Sequence, residues 1–152
     1  MAFTEKITEN LKSGRSVIIV GQTDEGKSWF VDHKLLPALR NLGWRVCYYP
    51  EGNIVPGISE ECDIAIFDEV ESFLDQEFLE NLYPEERPYY PDYYIERVKG
   101  WFGKMKNYLC PCIYIVTRNG EDEIGYFAKN IQAIDFDDRP IEVLVFRRDV
   151  SG

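Results

Sequence analysis

Residues Ser16-Val17-Ile18-Ile19-Val20 run directly into Gly21-Gln22-Thr23-Asp24-Glu25-Gly26-Lys27-Ser28, a short β-branched segment entering G-x-x-x-x-G-K-S. This spacing narrows the fold more than any other feature, because it demands a strand, a tight turn and a helix in that order. Glycine at 21 and 26 lets the backbone double back with no Cβ in the way, so that consecutive N–H groups converge on one anion. Lys27 adds a positive charge on a long stem. Ser28 opens a helix whose positive dipole end faces the same anion.

The pattern is that of a P-loop and implies a bound nucleoside triphosphate. Lys27 is expected to reach the β- and γ-phosphates, and the Ser28 hydroxyl to ligate Mg²⁺. The nucleotide-binding set is then Gly21, Gln22, Thr23, Asp24, Glu25, Gly26, Lys27, Ser28 and Trp29. Asp24 and Glu25 put two carboxylates into the variable part of the turn, and both are expected to point away from the phosphates.

At 152 residues and 45% apolar content the chain suits one packed domain, residues 1–152, with no room for a second. Its apolar stretches are too short to cross a membrane, and the charged start MAFTEKITENLKSG does not read as a secretory signal, so the expected location is cytoplasmic. Cys47, Cys62, Cys110 and Cys112 form no C-x-x-C pair and lie far in sequence from the single histidine, His33. They are expected to be ordinary buried thiols rather than a zinc site. Acidic residues outnumber basic ones 27 to 17, and the resulting net charge of −10 repels a polyanion over the surface as a whole.

Hydrophobic spacing places the remaining elements. Phe3, Ile7 and Leu11 recur at i, i+4 and i+8, so the first dozen residues read as a helix ended by Ser13-Gly14. From Lys27 a helical pattern continues through Val31, Leu35, Ala38 or Leu39 and Leu42 to a C-cap at Gly43, with Pro37 predicting a kink or an early end. Strands are expected at 45–49, 63–67, 112–116 and 141–146, and helices from Val70 to Leu82, over 92–107 and over 121–130. The tyrosine- and proline-rich segment 84–94 is expected to be irregular. Strands alternating with helical stretches indicate an α/β protein with a mainly parallel five-stranded sheet.

Ile64-Ala65-Ile66-Phe67-Asp68-Glu69 delivers two carboxylates to the carboxyl end of a buried strand, which is where α/β sheets place ligands. Asp68 suits Mg²⁺ coordination through water, opposite Ser28. Glu69 suits the polarisation of a water attacking the γ-phosphate. The fourth strand closes Ile115-Val116-Thr117-Arg118-Asn119, and a polar side chain there would sit beside the γ-phosphate if that strand lies between the first and third. Asn119 or Thr117 would then bond the attacking water, with Arg118 near the same edge; the alternative is plain turn chemistry at Asn119-Gly120.

Taken together, GQTDEGKS, IAIFDE and IVTRN resemble the P-loop ATPases that carry an additional strand and a catalytic glutamate, and among them the AAA+ and related helper ATPases. The resemblance covers roughly residues 14 to 147 and does not include a C-terminal helical lid. It implies a three-layer P-loop NTPase fold with sheet order 5-1-4-3-2, ATP rather than GTP, hydrolysis through Glu69 and a sensor role for Asn119. It further implies homo-oligomers with an arginine finger, for which Arg87, Arg97, Arg118, Arg147 and Arg148 are all candidates.

The stretch from Arg97 to Lys106 interleaves Arg97, Lys99, Lys104 and Lys106 with Trp101 and Phe102. It reads either as a nucleic-acid contact that combines phosphate binding with stacking, or as an amphipathic helix with solvated lysines and core aromatics. Segment 84–94 suits a partner-binding or lid loop. The function these features indicate is Mg²⁺-dependent ATP hydrolysis coupled to a macromolecular partner such as nucleic-acid or packaging machinery. A small-molecule phosphotransferase and a nucleotide-binding module without turnover are the alternatives, and the lack of N-K-x-D after the fourth strand argues against a GTPase.

Overall fold

The computed structural model describes residues 2–22, 26–49, 62–68, 85, 90–105, 110–118 and 120–147. Five strands, β1 (Val17–Gly21), β2 (Val46–Tyr49), β3 (Ile64–Phe67), β4 (Cys112–Thr117) and β5 (Glu142–Val145), form one sheet in the order β2-β3-β4-β1-β5. Every strand pairing is parallel. Read from the other edge this is 5-1-4-3-2, the expected order. β1, β3 and the first five residues of β4 are buried throughout, as strands covered by helices on both faces must be.

Alternation along the strands sorts the core into two layers. Val17, Ile19, Ile64, Ile66, Ile113 and Ile115 face the helices on one side, α1 (Phe3–Lys12) and the helical run 27–41. Ile18, Val20, Ala65, Phe67, Tyr114 and Val116 face the other side, against α4 (Tyr90–Met105) and α5 (Glu121–Asn130). The result is a three-layer α/β arrangement. In the first layer Phe30 meets Phe3 at 5.5 Å and Phe146 at 5.2 Å between ring centroids, locking the helical run after the glycine-rich turn onto α1 and the chain beyond β5.

That helical run departs from regularity where the proline predicts, though by another route. α2 (Lys27–Phe30) passes into a π-helical segment, Val31–Leu35, before α3 (Leu36–Asn41), and Pro37 lies in the first turn of α3. A proline has no N–H for the carbonyl four residues earlier, here His33, and its ring crowds that carbonyl. Widening the preceding turn absorbs the conflict without ending the helix. Gly43, at φ +86°, closes the run with its N–H on Arg40 O at 2.9 Å.

Segment 84–94 is not irregular throughout, because α4 begins at Tyr90. Pro91 falls in the first helical turn, where a missing N–H costs nothing. The expected helix from Val70 to Leu82 lies outside the described residues.

The cysteines divide into two kinds, which corrects the expectation of four thiols. Cys47 on β2 and Cys62 ahead of β3 form a disulfide, with Cα atoms 5.7 Å apart. Cys110 and Cys112 are buried thiols; Cys112 donates to Cys110 O at 3.3 Å, and burial pushes the Cys112 thiol well above its usual range. Their side chains fall on one strand neighbourhood because Cys47, Ala65 and Cys112 are register partners across β2, β3 and β4, a lateral relation that sequence spacing does not display. Disulfides are rare in the cytosol, and among the described residues no helix is long and apolar enough to cross a membrane.

The same edge of the sheet is clipped by Arg45 and Asp63. Arg45 N–H donates to Asp63 Oδ2 at 2.7 Å, its guanidinium reaches both carboxylate oxygens at 3.3 Å, and Asp63 N–H returns a bond to Arg45 O at 2.8 Å. The guanidinium, and then the backbone N–H, hold the Asp63 carboxyl below its usual range. A carboxyl with a lowered folded pKa stabilises the fold above its unfolded pKa and loses that contribution as pH falls through the folded value. Unfolding free energy followed by urea titration should therefore fall less steeply below about pH 4 in Asp63→Asn than in the parent. Reduction of the Cys47–Cys62 bond, with its sequence separation of 15, should lower the unfolding free energy by about 3 kcal/mol. Urea curves with and without a phosphine reductant measure this, and Cys47→Ser should show no reductant effect.

Candidate functional site

The turn after β1 is shaped by what glycine lacks. Gly21 is the last residue of β1, and a Cβ there would lie 3.0 Å from Lys27 Cδ and 3.2 Å from both Cβ and the backbone O of Phe146. The missing side chain thus lets the Lys27 stem fold back over the strand end while the chain beyond β5 passes alongside. Lys27 Nζ donates to Gln22 O at 2.9 Å, so the lysine lies against its own turn. Gly26 has φ +87°, a left-handed conformation that favours glycine, and directs the chain into α2. Phe30 N–H on Gly26 O at 2.9 Å closes the first helical turn. Thr23, Asp24 and Glu25 lie outside the described residues.

Ser28 is exposed at the start of this helical run. Trp29, 52% exposed, stacks on His33 one turn later, with centroids 4.8 Å apart and planes 11° from parallel. His33 Nδ1 lies 3.1 Å from Trp29 O, and Lys34 Nζ is 5.9 Å from the indole. The Trp29 ring therefore packs along its own helix. His33 is exposed on the surface of this helical run.

Four expected residues, Lys27, Ser28, Asp68 and Thr117, fall at the carboxyl edge of the first layer. β4 lies between β3 and β1, and Thr117 is the register partner of Gly21. Ile113 and Ile115 face α1–α3, so alternation puts Thr117 on that face too. Ile64 and Ile66 do the same on β3, which puts Asp68 there as well. Asp68, Thr117 and the turn carrying Lys27 and Ser28 consequently share one face and one end of the sheet, on three laterally successive strands. The Asp68 N–H donates to Tyr49 O at 2.9 Å, and its Oδ2 accepts from the Tyr48 hydroxyl at 2.6 Å. Glu69 and Asn119, the expected catalytic glutamate and sensor, lie outside the described residues.

Sequence reading put Arg118 near that same edge, and the structure corrects it. Arg118 N–H donates to Gly21 O at 3.0 Å, but its side chain falls on the opposite face. There it is 6% exposed, paired with Glu123 at 3.3 Å, and its guanidinium carbon lies 3.9 Å from the Tyr94 ring centroid. It borders a cavity of about 240 Å³ with Tyr94, Ile95, Asp122, Glu123, Tyr126 and Phe127. A guanidinium buried among its own chain's residues does not reach a neighbouring subunit, which removes Arg118 from the arginine-finger candidates. Arg147 bonds to Glu121 and Arg97 is exposed on α4. Arg87 and Arg148 lie outside the described residues.

The aromatic half of the nucleic-acid expectation is also corrected. Trp101 and Phe102 are 4% and 3% exposed, packed against Tyr114 at 5.5 Å and 4.6 Å, so neither is open to a base. Lys99 pairs with Glu96 at 3.6 Å; the Lys104 side chain and Lys106 are outside the described residues. Helical periodicity in α4 carries the aromatics inward and the charges outward.

Two residues that sequence reading passed over shape the site. Phe146 crowds Gly21 from the far end of the chain, and Tyr48 touches Asp68 from the neighbouring strand. Neither leaves a local signal, because each acts through strand register. Among the described residues no group of three or more His, Cys, Asp or Glu is arranged to hold a metal ion.

Gly21→Ala should cost about 1–3 kcal/mol of unfolding free energy, since the Phe146 carbonyl is backbone and yields only with a shift of the strand end. Gly26→Ala meets nothing within 4 Å and should cost only the left-handed backbone penalty, about 1 kcal/mol. Equilibrium urea unfolding of the two variants checks the ranking. Compared with known protein families, with curated proteins and with solved structures, the chain matches none.

Proposed function

We propose that the chain binds ATP with Mg²⁺ and hydrolyses it, coupling turnover to a macromolecular partner. The observation that carries this reading is the shared face of Asp68, Thr117 and the Gly21–Ser28 turn at the carboxyl edge of a 5-1-4-3-2 parallel sheet. Ligands of α/β sheets bind at that edge, where the order of connections reverses. The fit to a triphosphate rests on Gly21, whose missing Cβ lets Lys27 fold over the strand end, and on Gly26, whose left-handed backbone opens the helix. Lys27 and the backbone N–H groups of the turn would hold the phosphates. Ser28 and Asp68 would hold Mg²⁺.

Mg²⁺ characteristically takes one or two protein groups and completes its shell with phosphate oxygens and water. A bound Mg²⁺ would supply charge neutralisation at the phosphates, a task in which Lys27 would share. Glu69 would orient and polarise the attacking water. Asn119, or Thr117 on the strand between those of Asp68 and Gly21, would bond the same water. The partner-coupled part of the reading rests on the resemblance to helper ATPases.

A phosphotransferase is the second reading, since the same glycine-rich turn and lysine would hold the nucleotide of either enzyme. Phosphate release from ATP, measured with purified protein and Mg²⁺, separates the two. Glu69→Gln should lower release by about a hundredfold or more, leaving Mg-ATP affinity within a few fold, because only the group acting on water is altered. Lys27→Ala should instead weaken ATP binding by about tenfold or more. Unchanged release in Glu69→Gln overturns the assignment of the glutamate; binding with no release in the parent favours the phosphotransferase.

A further inference from the structure

We propose that Tyr48 is a positioning residue for Asp68 and, through it, sets the affinity of the site for a divalent cation; the inference rests on the function proposed above. Tyr48 on β2 is the register partner of Ile66 on β3, and Asp68 lies two residues further along the same face. Such diagonal neighbours are about 7–8 Å apart at Cα, a gap that a tyrosine spans and a serine or threonine does not. The hydroxyl arrives at 2.6 Å from Asp68 Oδ2, the length of a strong bond to a charged acceptor.

This contact is surplus to holding the sheet together. The β2–β3 ladder already runs from Val46↔Ile64 to Tyr49↔Phe67, Asp68 N–H extends it to Tyr49 O, and Arg45–Asp63 with the Cys47–Cys62 bond clips the other end. Nor is Tyr48 a core residue: at 37% exposed it contrasts with Tyr49, whose ring stacks on Phe67 at 4.9 Å in the opposite layer. The phenol does one thing the backbone does not. Asp68 N–H fixes where the residue begins, whereas the hydroxyl stops rotation of the carboxylate about Cβ–Cγ.

A carboxylate that binds a cation directly or through water does so in one orientation, and an outer hydrogen bond that enforces the orientation raises affinity for the metal. Tyr48 thereby acts on the cation without touching it. Because it comes from an edge strand, it reaches Asp68 from the side away from β4 and the turn.

The test is a Mn²⁺ titration, read by the electron-spin resonance of free Mn²⁺, of the full chain with the non-hydrolysable analogue AMP-PNP. Tyr48→Phe keeps the ring and removes the donor; it should weaken nucleotide-dependent Mn²⁺ binding about tenfold. Metal-free affinity for the analogue, measured in EDTA, and the urea midpoint should stay close to the parent's. In an Asp68→Asn background the same change should have no effect on Mn²⁺. Parent-like Mn²⁺ affinity in Tyr48→Phe, or an effect that persists without Asp68, overturns the inference while leaving the proposed function standing. Failure of the parent to take up Mn²⁺ with the analogue overturns both.

Discussion

β1 is hydrogen-bonded along both edges, to β4 on one side and β5 on the other, and all five of its residues are buried. A strand in that position has no freedom to slide, since a shift of one residue would turn Val17 and Ile19 out of one layer and Ile18 and Val20 out of the other. The point at which the chain leaves the sheet is therefore fixed. Everything proposed for the site depends on it: the turn at Gly21 faces the ends of β4 and β5 because β1 is clamped between them.

The same alternation partitions the residues beyond the strands. Thr117 and Arg118 are neighbours in sequence, yet Thr117 falls in the layer of the glycine-rich turn and Arg118 in the opposite one, against Tyr94 and Glu123. A polar cluster read from sequence as one edge thus separates into two environments. One is the face of the candidate site, with Asp68 and Lys27; the other is an aromatic cavity whose single guanidinium is already paired. Burying a charged group demands such pairing, and Glu123 with the Tyr94 ring supplies it.

The edge of the sheet at β2 is held by means that a parallel edge strand needs, because β2 has only one neighbour. The Arg45–Asp63 clip and the Cys47–Cys62 bond act at its start, and the Asp68 N–H, donating to Tyr49 O, acts at its finish. Stability and site geometry meet in this strand. The strand so held also carries Tyr48, whose hydroxyl bonds the one described carboxylate at the candidate site.

The amino-acid sequence by itself determined the order and kind of the described elements: β-branched runs at 17–20, 64–66 and 113–116, helical spacing around Phe3-Ile7-Leu11 and Val31-Leu35-Leu39, and glycine where the turn at 26 needs a left-handed backbone. These are local properties, set by side-chain shape and period. The G-x-x-x-x-G-K-S spacing marked the candidate site for the same reason. What only the tertiary structure decided is lateral. Register placed Tyr48 on Asp68, Phe146 against Gly21, Cys47 beside Cys62, and Arg118 on the far face, and register follows from how buried faces match across strands far apart in the chain. Pro91 and Pro37 show the same limit within helices. A proline announces a conflict with its neighbours, but whether the chain stops, starts or widens there depends on what the helix packs against.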